Sequence, residues 1–169
     1  RRFARQIDNQ RWKFTCRYTN LTRAEFAPIF AFITKQRGSK ETFTISPPNL
    51  KNALGSETTT ISVNGSHTAG DTTIAIDGFN ADSAGSLKAG DFLKFASHTK
   101  VYQVVSDVTP SSNAATVTIE PPIIEALAND STVTYDAVPF TVYLTSSVQS
   151  YSMGINNLYN YEFDVSEAF

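Results

Sequence analysis

The strongest constraint on this chain's fold is a change of period within its first fifty residues. Between Arg11 and Tyr18, Trp12, Phe14, Cys16 and Tyr18 alternate with Lys13, Thr15 and Arg17. That is the period-two pattern of a strand with one face on a core and one in water. From Thr22 the period lengthens: Phe26, Ile29, Phe30 and Ile33 fall at i, i+3, i+4 and i+7, on one helical face. A helix is predicted over about residues 22–37. Thr22 and Glu25 have capping-box spacing at its start, and Lys35 and Arg37 suit the negative end of its dipole. Gly38 can take the left-handed conformation that stops it. Pro28 removes the bond to Ala24 and predicts a bent or reset start rather than no helix. Phe43 and Ile45, alternating with Thr42 and Thr44, then predict a second strand, ended by Pro47-Pro48.

From about Ala53 to Ala137 the pattern is different: short β-like runs divided by Gly, Asn, Asp and Ser, with no helical period. TTTISVNG ends in a tight-turn signal at Asn64-Gly65, and DTTIAIDGF puts Ile74 and Ile76 on one face before Asp77-Gly78. LKAGDFLKFASHTKVYQVVSDV predicts a hairpin around a loop at His98. ATVTIEPP places Val117 and Ile119 inward, and STVTYDAV gives a last short strand. Short strands at regular spacing indicate a small barrel or sandwich.

The tail returns to the opening pattern. Phe140, Val142 and Leu144 alternate with Thr141 and Tyr143; Tyr159, Tyr161, Phe163 and Val165 alternate with Asn160, Glu162 and Asp164. The first and last strands match in aromatic content, and Arg11, Lys13 and Arg17 can face Glu162 and Asp164 across a ladder. The expected fold is mainly β with one flanking helix. Residues 1–54 plus 138–169 form a discontinuous tube-like sandwich or barrel, interrupted by an all-β, barrel-like insert at 55–137. Residues 1–10 read as an arm leading to the first strand.

Charge is distributed unevenly. Residues 1–40 hold ten Lys or Arg against Asp8 and Glu25, a balance of +8; residues 41–169 hold four Lys against fourteen acidic residues, a balance of −10. The basic part lacks the dense Lys/Arg run of a nucleic-acid tail. Contact between one copy's basic surface and another's acidic one is the better reading. Arg11, Lys13, Arg17, Arg23, Lys35, Tyr143, Glu162 and Asp164 are the candidate subunit-interface residues. Tyr143 is included because it falls on the polar phase of its strand.

Groups for catalysis are scarce. His67 and His98, the only histidines, lack Cys or a paired carboxylate at ligand spacing and read as solvated loop residues. The lone Cys16 excludes an internal disulfide and reads as a small, inert, buried hydrophobe. Asp71, Asp77, Asp82, Asp91 and Asp107 lack the spacing of a calcium loop and read as turn formers. No phosphate loop, HExxH or GxSxG is present. The expectation is no enzyme activity, no cofactor, no metal and no membrane span.

Several segments carry a family resemblance: RRFARQIDNQRWKFTCRY, LTRAEFAPIFAFITKQRGSKETFTI, SLKAGDFLKFASHTKVYQVVSDV, TVTIEPPI, PFTVYL and YNYEFDVSEAF. Together they resemble the distal tail and related minor tail proteins of long-tailed bacteriophages over most of the chain. The resemblance implies a virion structural protein: a tube-type β domain with a flanking helix, assembled as a usually sixfold ring at the end of the tail tube. Implied partners are further copies of the chain, the tail tube protein, tail tip or baseplate hub proteins and the tape measure protein. The insert would sit outside the ring, and in some relatives such inserts bind carbohydrate, so a host surface glycan is the alternative ligand. The resemblance also implies further chain before the position of Arg1.

Overall fold

The computed structural model describes residues 10–80 and 84–169. Residues 1–9 of the expected arm, and Asp82, lie outside the described residues. The described chain divides into two units, Arg11–Ile45 with Thr141–Phe169, and Ser46–Phe140.

The first unit is built as the alternation demands. β1 (Lys13–Leu21), β2 (Thr42–Ile45), β9 (Phe140–Leu144), β10 (Tyr151–Met153) and β11 (Tyr159–Glu167) form one open sheet in the order β1-β11-β9-β2, with β10 also on β11. Strands β1 and β11, at opposite ends of the sequence, pair antiparallel with Phe14 opposite Val165, Cys16 opposite Phe163 and Tyr18 opposite Tyr161. This register sends the apolar phase of both strands to one face and the charged phase to the other.

Helix α1 (Arg23–Lys35) contributes Phe26 and Ile33 as buried residues. Its start is the capping box: the Glu25 N–H donates to Thr22 Oγ1 at 3.4 Å, and the Thr22 N–H donates to the Glu25 carboxylate at 2.8 Å. The helix runs unbroken through Pro28. It ends two residues earlier than the sequence predicts: Gln36 is the cap, and Arg37 and Gly38 both turn left-handed, at φ 55° and 70°. Arg37 therefore lies beyond the helix. The Phe26 ring stacks on Tyr159 at 4.5 Å and lies 5.0 Å from Tyr151 and 5.8 Å from Tyr161. Such ring pairs add roughly 0.5–1.5 kcal/mol to plain burial.

The second unit is a closed six-stranded barrel in the order β3-β4-β7-β6-β5-β8. Its strands are β3 (Ile61–Val63), β4 (Thr73–Asp77), β5 (Phe92–Phe95), β6 (Tyr102–Val104), β7 (Ala114–Glu120) and β8 (Thr132–Thr134). Ile61, Val63, Ile74, Ile76, Leu93, Phe95, Val117 and Ile119 fill its interior at 0% exposure. Closure removes the free edges that such short strands would otherwise present.

Three turns in this unit repeat one plan. Asp71 donates its N–H to Thr68 O, Asp91 to Lys88 O and Ser131 to Ala128 O. The residue before each, Gly70, Gly90 or Asp130, has positive φ, which the third position of a type II turn requires. That residue's own N–H reaches a different segment: Ile123 O, Val104 O and Val63 O respectively. Each turn thus stitches two parts of the barrel.

The barrel's boundary is wider than the span of 55–137 read from sequence. Residues 46–53 carry no strand pattern, yet backbone bonds tie them to the barrel's last residues. The Ala137 N–H donates to Lys51 O at 2.6 Å, and the Ala53 N–H to the Asp136 carboxylate at 2.7 Å. Asn64-Gly65 also differs from expectation. β3 and β4 do pair, Val63 opposite Ile76, but the chain between them runs through residues 64–72 rather than a two-residue turn.

Candidate assembly surface

Most of the charged residues read from the sequence as interface candidates lie on one face of the β1–β11–β9 sheet. The Lys13 ammonium lies 3.2 Å from the Asp164 carboxylate. Thr15 Oγ1 donates to Asp164 at 2.6 Å, and Arg17 Nε donates to Glu162. The Thr15 and Lys13 contacts hold the Asp164 carboxyl below its ordinary value. Arg11 donates to the half-buried Tyr143 hydroxyl at 3.4 Å, and its guanidinium lies 5.0 Å from the Phe169 ring. Six of the eight candidates therefore satisfy one another within a single copy. Exposed pairs of this kind stabilise by under about 1 kcal/mol. Arg23 and Lys35, exposed on α1, have no ion-pair partner among the described residues.

Beside this face the sheet opens. Residues 145–150 leave the edge of β11 between β9 and β10, and a groove of about 490 Å³ forms there, lined by Arg17, Thr19, Gln149, Ser152, Asn160 and Glu162 among others. Tyr161 anchors its wall by donating to Gln149 Oε1, and burial pushes its hydroxyl up to about 12. Cys16, on the opposite face of β1, is half-buried. Burial first, and Asp164 second, raise its thiol above the ordinary value, which disfavours the reactive thiolate.

Neither histidine is a solvated loop residue. His98 is only 3% exposed. The Ile124 N–H donates to the Tyr102 hydroxyl at 3.3 Å, which leaves that hydroxyl's proton for His98 Nδ1, 2.8 Å away. The ring proton then belongs on Nε2, a buried atom with no well-formed hydrogen bond. Burial lowers the His98 pKa, against opposing contributions from the Ala126 backbone and Glu125. His67 is partly buried; its Nε2 accepts from the Ala75 N–H at 3.1 Å, so Nδ1 carries the proton, 3.7 Å from Asp71. Both rings tie their loops to the barrel, His98 through Tyr102 four residues on and His67 through Ala75 eight residues on.

The barrel carboxylates serve the backbone. Asp91 accepts from the N–H groups of Leu54 at 2.6 Å and Lys88 at 2.8 Å; Asp71 accepts from the Thr68 N–H at 2.9 Å; Asp107 accepts from the Ala89 N–H at 3.0 Å. Glu57, 5% exposed, accepts from the Thr58 and Thr59 N–H groups and the Thr59 hydroxyl. Burial alone would raise its pKa, but these bonds together with one from Asn80 outweigh it and hold the group low. Among the described residues no three His, Cys, Asp or Glu side chains cluster as metal ligands. The barrel's aromatic rings Phe79, Phe95, Tyr102 and Tyr135 point inward, and its large exposed apolar side chains are Leu54 and Val105.

A closed barrel, inserted in sequence between the two halves of an open, charge-paired sheet, makes this a mainly β protein. Residues 50–138, more than half of the chain, match the family described as "Distal tail protein pb9, B domain". The chain belongs to this phage distal tail protein family, and its role is that of a structural component of the virion tail. Among curated proteins none matches it.

Proposed function

We propose that this chain is the ring-forming adaptor at the far end of the phage tail, where copies of it join the tail tube to the tip or hub proteins. The observation that carries the reading is the family match over residues 50–138. Among the described residues β10 pairs with β11 alone, so its other edge is open to another chain. A head-to-tail joint between unlike surfaces closes into a ring when its rotation allows. Six copies is the order that the resemblance implies.

The intramolecular pairs alter the electrostatic part of the expectation. Lys13 and Arg17 are matched within the copy, so among the candidate cations Arg23 and Lys35 are the ones without an ion pair to other described residues, and they can meet acidic neighbours. Residues 46–140 carry four Lys against ten acidic residues, an excess that suits such a neighbour.

Gold-labelled antibody against the chain, imaged on intact particles, tests the placement. Label at the far end of the tube supports the adaptor; label along the tube or on the capsid refutes it. A glycan array probed with the whole chain tests the alternative ligand, and reproducible binding would assign the barrel a host-attachment role.

A further inference from the structure

The pair Asn64-Gly65, the only Asn-Gly in the chain, does not make the two-residue turn that its sequence suggests. Such a pair has a chemistry of its own. The glycine's backbone nitrogen can attack the asparagine side-chain carbonyl, because no side chain on the glycine stands in the way. Both residues are exposed, and a Cβ built on Gly65 would meet nothing within 4 Å. Asn64 lines an open groove of about 400 Å³ with Thr109, Ser111 and Thr116, through which water reaches it. Its side-chain amide has no hydrogen-bond partner among the described residues. The attacking group, by contrast, is held. The Gly65 N–H donates to Asn129 Oδ1 at 2.7 Å. Asn129 keeps that oxygen forward because its Nδ2 donates to the Asp130 carboxylate, also at 2.7 Å. The adjoining backbone is pinned too: the Val63 N–H donates to Ser131 O, the Asp130 N–H to Val63 O and the Asn64 N–H to Ala75 O, each at 2.9 Å.

We propose that Asn64 is a self-modification site, at which the chain loses its own side-chain amide, and that Asn129 governs the rate by holding the proton of the attacking nitrogen. The reaction belongs to a single copy and needs no ring. It also needs no oxidant or reductant. The Gly65 nitrogen gives up its proton and bonds to Asn64 Cγ. The Cγ–Nδ2 bond breaks, ammonia leaves carrying that proton, and a five-membered imide remains. Water then opens the ring. Opening at Cγ leaves an ordinary aspartate; opening at the backbone carbonyl carbon leaves an isoaspartate, with the chain continuing through the side chain. The attack cannot begin while the Gly65 proton is shared with Asn129, and an amide oxygen is too weak a base to remove that proton itself. The bond to Asn129 therefore slows the step. Either product places a negative charge at the end of β3. Isoaspartate also adds a methylene to the backbone between the bonds to Ala75 and Asn129, at the seam where β3 meets β4 and β8.

Peptide mapping by mass spectrometry tests the site. The folded full chain is incubated at mildly alkaline pH, and loss of the amide is followed at each asparagine. Isomerisation at Asp77-Gly78 loses and regains water, leaves the mass unchanged and does not interfere. Residue 64 is expected to convert in the parent, and roughly three- to tenfold faster in Asn129→Ala, the factor that one hydrogen bond of ordinary strength puts on an equilibrium. Asn129→Asp keeps an acceptor oxygen and is expected to stay near the parent rate. Asp130→Gly suits the positive φ of its position and releases the Asn129 amide to turn; it is the second variant expected to convert faster. Asp71→Ala frees the Thr68 N–H in the same loop without touching the Gly65 bond, and is expected to match the parent. Circular dichroism checks the fold of each variant. Residue 64 keeping its amide in the parent and in Asn129→Ala alike overturns the site. Conversion no faster in Asn129→Ala and Asp130→Gly, or equally fast in Asp71→Ala, overturns the role of Asn129.

Discussion

Phe26 seats α1 on the sheet, and Phe26→Ala should measure how much that contact stabilises the sheet unit. The ring is 7% exposed, stacked on Tyr159 at 4.5 Å and within 6 Å of Tyr151, Tyr161 and Phe30. Truncating a buried phenylalanine costs about 3–5 kcal/mol through lost burial and the cavity left behind. The helix edge can partly collapse onto the space, so about 3 kcal/mol is expected. For a unit of this size that lowers the melting temperature by roughly 12 °C or more. Thermal unfolding followed by the fluorescence of Trp12, the only tryptophan and a residue of the sheet unit, reads the change. Phe32→Ala is the control: Phe32 is 46% exposed and meets Phe43 edge-on at 5.4 Å, so its loss should cost under about 1.5 kcal/mol. Equal losses from the two variants would refute the claim that α1 is seated through Phe26.

Three further outcomes follow from the geometry. Glu57→Ala would leave the Thr58, Thr59 and Asn80 N–H groups, all in partly buried hydrogen bonds, without their acceptor, at about 1 kcal/mol per bond. It should lower the urea midpoint of the barrel by more than any exposed carboxylate variant. His98 is held neutral in the fold, so the unfolded chain takes up its proton first as pH falls. Its contribution is complete above the ordinary histidine value of about 6.5 and is lost as pH drops from there through the lowered folded value. Stability measured across this window should fall for the parent and stay flatter for His98→Leu. Thr22→Ala removes half of the capping box and should cost about 1 kcal/mol, read as a small drop in the sheet unit's melting temperature.

The parts of the fold legible in the sequence were those with local signals. The helix start could be read because Thr22 and Glu25 are three residues apart. The β1–β11 pairing could be read because both strands keep strict alternation with opposite charges, and Arg17–Glu162 and Lys13–Asp164 followed from that. What escaped carries no periodic signal. Nothing in FASHTKVY shows that His98 will be buried under Tyr102, or that Lys100 will reach 0% exposure. Residues 46–53 lack a period because they bond through single backbone groups. The three stitched turns share only a small residue followed by Gly-Asp, Gly-Asp and Asp-Ser, a resemblance that becomes evident once Gly70, Gly90 and Asp130 are seen with positive φ. Alternation put Tyr143 on the polar phase of its strand, where it meets Arg11, but gave no sign of β10, whose stretch is marked by the absence of charge over residues 145–161.

The most direct test of the whole reading is the mass of the purified chain in solution, taken by native mass spectrometry at low and physiological salt. A closed assembly of identical copies, six by the family resemblance, is the expected result, weaker at physiological than at low salt because Arg23 and Lys35 meet acidic neighbours. A monomer at every concentration and salt would contradict it.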